Sequence, residues 1–247
     1  MYQFKISIIT VCYNAADLLE KTIQNVIAQT YTNIEYLIID GASKDHTLSV
    51  IEKYKNDIAY FVSEEDNGIY DAMNKGIKKA TGDYLFFLNA GDVLYSNQSL
   101  ENFISNTHGE DFLYGMAVYV DNNQKITRPW HKQIPNAQNL SARSFINGMV
   151  VCHNCMMVKR ELVPSYRTDR WKIASDIDWS IRVQKNVQTR FFYDKEPFYL
   201  FLEGGISDRK RKRALKERFQ IFVEHFGWMA TIKTHLRILV QFIFRKK

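Results

Sequence analysis

One short apolar run that breaks off in a polar tip constrains this chain more than any other feature. Tyr84-Leu85-Phe86-Phe87-Leu88 shows no polar alternation, so as a strand it must be covered on both faces. It stops abruptly at Asn89-Ala90-Gly91-Asp92. Two earlier runs behave alike: Ile6 to Val11 exits into Cys12-Tyr13-Asn14, and Glu35 to Asp40 ends on a carboxylate before Gly41. Helical patterns lie between them. Asp17 to Ala28 carries the apolar stripe Leu18, Leu19, Ile23, Val26 and Ile27, and a second helix passes through Val50, Ile51 and Tyr54. A third strand spans Ile58 to Val62. Ala72, Met73, Ile77 and Ala80 then recur at helical spacing before Gly82 stops that helix. Covered strands alternating with helices make a parallel βαβ sheet. Such sheets bind ligands beyond the carboxyl ends of their strands. The tips at Thr10–Asn14, Asp40–Gly41 and Asn89–Asp92 therefore converge on one edge.

Neither GxGxxG nor GxxxxGK[ST] occurs in this half, which argues against a dinucleotide fold and a P-loop. Three cysteines, Cys12, Cys152 and Cys155, are too few and too odd in number for a disulfide framework. Cys152 and Cys155 have CxxC spacing, but no second Cys/His pair completes a four-ligand zinc site. No secretory leader precedes the first strand, and no apolar run approaches the ~20 residues that span a bilayer. The expected compartment is cytoplasmic and reducing.

As a carboxylate, Asp40 can accept hydrogen bonds from a nucleobase or ribose; as a residue before glycine, it can equally shape a turn. Lys75 can neutralise a diphosphate or stand as a solvated helix lysine beside Lys78 and Lys79. Asp92 is the sole carboxylate of its tip, and a hard cation such as Mg²⁺ takes one or two protein carboxylates, filling its shell with phosphate and water.

The stretches GIYDAMNKGIKKATGDYLFFLNAGD and TVCYNAADLLEKTIQNVIAQTYTNIEYLIIDGASKDHT resemble the donor-binding core of family 2 glycosyltransferases, which share the α/β nucleotide-sugar fold called GT-A, a Rossmann-like mixed sheet flanked by helices. The resemblance implies a nucleoside-diphosphate sugar as donor. It assigns Thr10 and Tyr13 to the nucleotide edge, Asp40 to the base, and Glu65, Asp66, Asn67 and Asp71 to a loop near the ribose. Asn89 and Gly91 fall at the donor, and Asp92 becomes the ligand of a divalent cation, Mn²⁺ or Mg²⁺. The family tip usually reads Asp-x-Asp-Asp, so Asn-Ala-Gly-Asp retains one carboxylate.

The second half is less regular. Phe112–Gly115 and Met116–Val120 suggest strands, with Asp121-Asn122-Asn123 as a hairpin turn. Arg128-Pro129-Trp130-His131 offers a planar cation and an aromatic ring suited to a sugar or phosphate, or a plain surface loop. The segment from Val151 resembles a piece of one polysaccharide-assembly branch of the family that reads Cys-His-Gln, here Cys152-His153-Asn154; it implies that His153 faces diphosphate or acceptor. In Ala174–Arg182, Ile177, Ile181 and Gln184 keep helical spacing, and Asp176 falls in the first turn, where the helix dipole favours an anion. Similarity to the family's catalytic motif makes Asp176 the base, with Asp178 orienting the helix or acceptor. A helix cap with a second surface acid is the alternative.

Glu203-Gly204-Gly205-Ile206-Ser207 reads as a loop able to close over the donor. From Arg209 onward the chain holds 12 Lys and Arg against two acids, a net +10, while the rest carries −4. Leu215, Phe219, Phe222 and Phe226 share one helical face; Ile232, Leu236, Leu239, Val240 and Ile243 share another. Basic residues beside apolar helical faces fit an anionic membrane surface, here the inner face of the plasma membrane. No nucleic-acid-binding motif accompanies the charge. The expected organisation is a GT-A domain over residues 1–207, with a nucleotide-sugar half (1–95) and an acceptor half (96–207), then a basic helical extension over 208–247. The expected reaction is inverting transfer from a sugar nucleotide, UDP-linked by preference, to a lipid-linked saccharide of the cell surface. Two alternatives stand beside it: a sugar-nucleotide nucleotidyltransferase and a non-catalytic membrane or nucleic-acid-binding protein.

Overall fold

The structure, a computed structural model, describes residues 3–121, 125–131, 133–202 and 210–244, with side chains of the last segment as far as residue 237. Its first half alternates as expected: β1 (Ile6–Cys12), α1 (Ala16–Ile27), β2 (Ile34–Asp40), α2 (Thr47–Lys53), β3 (Tyr60–Ser63), α3 (Ile69–Lys79) and β4 (Tyr84–Phe87). Next come β5 (Val93–Leu94), α4 (Ser99–Ile104), β6 (Phe112–Val120), β7 (Ile126–Pro129), β8 (Met156–Lys159), α5 (Ser175–Asn186) and β9 (Arg190–Leu202). The helices α6 (Arg211–Phe226) and α7 (Trp228–Phe244) complete the order.

Among the described residues nine strands form one mixed sheet in the order β3-β2-β1-β4-β8-β6-β9-β5, with β7 on β6. β1 to β4 are mutually parallel, so their carboxyl ends open on a common edge. β8 runs antiparallel between β4 and β6, and β9 returns parallel to β6. Ile6 and Ile8 of β1 enter one apolar cluster with Leu19 and Ile23 of α1, while Ile9 and Val11 enter another with Ala72 and Met73 of α3. Along β4, Tyr84 and Phe86 join the first cluster, and Leu85 and Phe87 the second. This is the two-sided coverage that an unalternating run requires. The helix α3 lies so close to β1 that a β-carbon on Gly76 would stand 2.4 Å from Ile9 Cγ2.

Several expectations change. Leu18 and Ile27 are largely outside the core of α1, whose buried stripe runs through Leu19, Thr22, Ile23 and Val26. Thr22 belongs there because its hydroxyl donates to the Asp92 carbonyl (2.9 Å) and accepts the Gly91 N–H (3.0 Å). Phe112 to Val120 is one strand whose register against β9 shifts at Gly115–Ala117. β7 pairs back on it antiparallel; Asn122 and Asn123 of the expected turn lie outside the described residues. So do the Glu203–Ser207 loop, Arg209 and Arg245–Lys247.

The boundary expected at Ser207 does not set α6 apart from the domain. Ile221 and Phe222 are buried in the same cluster as Ile9, Phe87 and Trp179, and Phe226 packs against it. Leu215 leaves that face and is 54% exposed. The next helix, α7, rests on α6 through Phe219, whose ring meets those of Trp228 (5.7 Å) and His235 (5.2 Å). Trp228, Met229, Ile232 and Leu236 stay exposed; the side chains of Leu239, Val240 and Ile243 lie outside the described residues. Among the described residues, no helix is long and apolar enough to cross a membrane.

Candidate active site

A cleft of about 430 Å³ opens beside the tip of β4, and its lining includes Asn89, Asp92, Trp130, His153 and Asp176. The sequence-assigned residues divide sharply around it. Asp40 is wholly buried. Its Oδ2 accepts the Ser43 N–H (2.9 Å) and the Ser63 hydroxyl (2.6 Å), and Oδ1 accepts the Ser43 hydroxyl. The carboxylate expected at the base is thus committed to joining β2, β3 and the intervening turn. Thr10 is buried as well, donating its hydroxyl to the Leu88 carbonyl (2.6 Å) and so fastening β1 to β4.

At the nucleotide end, Tyr13 is 61% exposed. It meets Asp66 over Gly41, where a β-carbon would stand 2.6 Å from Asp66 Oδ2 and 3.5 Å from Tyr13 Cδ2. A larger residue at position 41 would push the Asp66 carboxylate aside. Asp66 Oδ1 accepts the Gly68 N–H (2.8 Å) and Asp71 Oδ2 the Asn67 N–H (3.0 Å), pinning the loop; Glu65 and Asn67 point outward. Lys75 donates to the Glu65 carbonyl (2.7 Å) and pairs with Glu64 (3.0 Å), so it fastens the same loop. These residues lie outside the lining of the cleft.

The tip itself is turned inward. Gly91 holds φ +98°, a conformation suited to glycine, with its N–H on Thr22. Asp92 is buried, and its carboxylate accepts the Tyr199 hydroxyl (2.7 Å), the Asn154 amide (3.3 Å) and the Leu202 N–H (2.9 Å). Burial pushes its pKa up to about 6 against the pull of those donors. A divalent cation needs several oxygens free to approach one point. The tip supplies one carboxylate already engaged by three donors. Among the described residues, no three His, Cys, Asp or Glu side chains gather to hold a metal. The donor set does not fit a resident ion. Asn89 differs: it lines the cleft, and its Oδ1 is buried without a protein partner.

His153 lines the cleft, yet both ring nitrogens are occupied. Asn154 points its amide nitrogen at Asp92 and Tyr199, so its Oδ1 accepts the His153 Nδ1–H (2.8 Å); Nε2 then accepts the Tyr166 hydroxyl. Burial lowers the imidazole pKa below its usual value, which keeps the ring neutral. The expected diphosphate or acceptor contact therefore has no free nitrogen to make it. Two residues of the α3 motif, one turn apart, tie this floor to the donor half. Asn74 exchanges hydrogen bonds with the Tyr166 backbone (2.9 and 2.7 Å), and Tyr70 donates to the Ile173 carbonyl (2.9 Å). In the expected Arg128–His131 patch, Trp130 lines the cleft, while Arg128 lies over the Tyr119 ring at 3.7 Å.

The two acids of α5 have opposite fates. Asp178 is fully buried between Arg167 (3.0 Å), Arg182 (2.9 Å) and His225 (2.9 Å). Burial would raise its pKa, but His225, Arg167 and Arg182 together hold it well below the usual carboxylate range. It orients the helix, and no acceptor reaches it. Asp176, half-buried in the first turn, lines the cleft and accepts the Ile177 N–H (3.0 Å). No Lys or Arg pairs with it among the described residues. The segment just before α5 is held from α6: Glu217 Oε2 accepts the N–H groups of Lys172 (3.0 Å), Ile173 (2.8 Å) and Ala174 (3.1 Å). Sequence reasoning passed over Glu217, although a lone acid within RKRKRALKER is a visible signal.

Two outcomes test this geometry. Asp92→Ala leaves Tyr199, Asn154 and Leu202 without their acceptor, and each buried orphan donor costs about 1–3 kcal/mol. A loss of about 3 kcal/mol in urea unfolding is expected; unchanged stability would show that these three donors do not depend on Asp92. Glu217→Ala should speed amide hydrogen exchange at residues 172–174 by tenfold or more while the β1–β4 amides stay protected. Unchanged exchange at those three amides would contradict the clamp.

Comparison with known proteins fits the arrangement. The model of Glycosyl transferase family 2 matches residues 7–167. An uncharacterised glycosyltransferase of Mycobacterium tuberculosis is 43% identical over 88 residues, which cover 35% of this chain and 34% of that protein. The chain thus matches about a third of the length of that relative. A PGL/p-HBAD biosynthesis glycosyltransferase of Mycobacterium bovis is 28% identical over 198 residues, 76% of this chain and 73% of that protein. Among solved structures, S. aureus TarS 1-349 superposes with a TM-score of 0.70 at 16% identity, covering 94% of this chain and 72% of that one. The mannosyltransferase PcManGT of Pyrobaculum calidifontis, solved with GDP-Man and Mn²⁺, gives 0.64 at 19% identity, over 91% and 64%. With its opening strands, its α3 motif and its mixed sheet all in agreement, the chain belongs to glycosyltransferase family 2 and carries the GT-A fold.

Proposed function

We propose that this protein is an inverting glycosyltransferase that moves a sugar from a nucleoside-diphosphate sugar, UDP-linked by preference, to a hydroxyl of a lipid-linked saccharide in cell-surface polysaccharide assembly. The observation that carries the reading is Asp176. Of the acids at the cleft and its α5 wall, Asp92 and Asp178 are consumed by internal donors, whereas Asp176 lines the cleft without a cation. A sugar hydroxyl is a weak nucleophile at neutral pH, so a placed carboxylate that takes its proton lowers the barrier. The oxygen attacks the anomeric carbon as the bond to the diphosphate breaks on the opposite face, which inverts that centre. Tyr13 and Asp66 beside Gly41 receive the nucleotide, and Asn89 and Gly91 at the tip of β4 belong to the donor side of the cleft. TarS has been solved with UDP and with UDP-GlcNAc, which favours uridine here. Mn²⁺ accompanies the donor in PcManGT; an ion arriving here with the donor would draw most of its oxygens from phosphate and water, and no step in this chain is assigned to it. The nucleotidyltransferase and non-catalytic alternatives account for neither the family match nor Asp176.

The same reading sets the enzyme on an anionic membrane. Lys210 precedes α6 and Arg211 to Arg213 begin it, and the exposed row Trp228, Met229, Ile232 and Leu236 lies on α7. Each basic residue near such a surface is worth about 1 kcal/mol.

Asp176→Asn should lower turnover by about 10²–10⁴-fold with the donor's dissociation constant unchanged in titration calorimetry. Near-normal turnover would remove Asp176 from the base role. The full chain should sediment with phosphatidylglycerol vesicles at low salt and be released at high salt; absence of salt-sensitive pelleting would end the membrane reading.

A further inference from the structure

An α-helix leaves its first N–H groups without partners, and a side chain at the N-cap usually accepts from one of them. α5 has no such help. Its N-cap is Ala174, no side chain there caps it, and among the described residues the buried Ser175 hydroxyl has no hydrogen-bond partner. The turn that carries Asp176 is held instead from two other helices. From α6, Glu217 Oε2 accepts the Ile173 N–H (2.8 Å) and the Ala174 N–H (3.1 Å). From α3, the Tyr70 hydroxyl donates to the carbonyl of the same Ile173 (2.9 Å). The Asp176 N–H and the Asp176 carboxylate both act on that Tyr70 oxygen. Burial, with the Asp176 charge beside it, pushes the phenol pKa well up, so the hydroxyl keeps the hydrogen it donates. The ring is fixed too: Tyr70 is buried and stacks on Tyr166 at 5.2 Å. Tyr70 and Asp176 both line the cleft.

We propose that Tyr70 is the positioning residue of Asp176, its hydroxyl capping the first turn of α5 from α3. The inference rests on Asp176 as the base of the glycosyltransferase reading and deepens it. Tyr70 stands in the first turn of α3, and the same turn organises the loop that precedes it. Its neighbour Asp71 accepts the Asn67 N–H (3.0 Å). Asp66, which meets Tyr13 over Gly41, accepts the Gly68 N–H (2.8 Å). One turn of helix thus fastens the nucleotide loop on one side and the base-bearing turn on the other. A nucleotide that steadies Asp66 steadies Asp176 through Tyr70, along residues in direct contact. Tyr70→Phe severs this link narrowly, because it keeps the ring on Tyr166 and removes only the oxygen.

The test is residue-resolved amide hydrogen exchange on the full chain, with and without UDP, for the wild type, Tyr70→Phe and Asn74→Ala. Tyr70→Phe should speed exchange at Asp176 by about tenfold, while the Lys172 amide, which rests on Glu217, keeps its rate. UDP should slow exchange at Asp176 in the wild type and leave it unchanged in Tyr70→Phe, with the UDP dissociation constants of the two chains within about threefold by calorimetry. Asn74→Ala is the control for general loosening. It removes a different tie of α3, the two hydrogen bonds to the Tyr166 backbone, and should leave Asp176 at the wild-type rate. Wild-type exchange at Asp176 in Tyr70→Phe, or equal acceleration there by Asn74→Ala, would overturn the cap. So would acceleration that spreads to the β1–β4 amides, since the hydroxyl would then merely support the fold. UDP protection of Asp176 that survives Tyr70→Phe would overturn the coupling. Failure of the glycosyltransferase reading is separate: it appears as no UDP binding by the wild-type chain, with the nucleotide-free rate at Asp176 still deciding the cap.

Discussion

A fully buried carboxylate, Asp178, holds the α5–α6 side of this protein together. An unpaired charge in that position would cost several kcal/mol, and removing one partner of a buried pair commonly costs about 3–5 kcal/mol. Arg167 and Arg182 supply the pairing from the loop before α5 and from α5 itself, and His225 supplies it from α6. Arg167 then extends the network to Glu224 (2.7 Å). The consequence is directional. Once α6 is docked by these contacts and by Ile221 and Phe222, Glu217 arrives beneath residues 172–174, and Asp176 is presented at the cleft one turn further on. This wall of the cleft is thus built from the far end of the chain.

The first half of the fold was legible in the sequence because its signals are local. Apolar runs of five to seven residues, helical spacing and turn glycines report their own structure, and the observed bounds of β1, β2, α1 and α3 track them closely. What the sequence could not convey is the direction in which a strand-end polar group turns. Asp40 faces inward because Ser63 waits on the neighbouring strand, and Asp92 because Tyr199 and Leu202 come back across the sheet more than a hundred residues later. Both read as ligand-facing acids until those partners are in place. Thr10 shows the same effect through the Leu88 carbonyl.

The two helices of the basic tail part company for a related reason. A helix with one apolar face and one charged face satisfies equally a membrane and a neighbouring core. Here the two helices divide the choices: α6 spends Phe219, Phe222 and Phe226 on the domain and on α7, while α7 keeps Trp228 and Met229 outward. The deciding clue was Glu217. An acid surrounded by Arg and Lys has no use on a surface that seeks anions, whereas beneath three converging N–H groups it has an obvious one.

That arrangement has a consequence for how the protein is made. The parallel strands β1 to β4 find their partners within the first 87 residues and can assemble while the rest of the chain is still on the ribosome. The turn that presents Asp176 is synthesised some forty residues before the carboxylate that organises it. Until α6 emerges and docks, a nascent chain can hold the β1–β4 edge of the cleft in order while the turn that carries Asp176 has nothing to fix it. Any product of early termination before residue 217 lacks the organising group altogether.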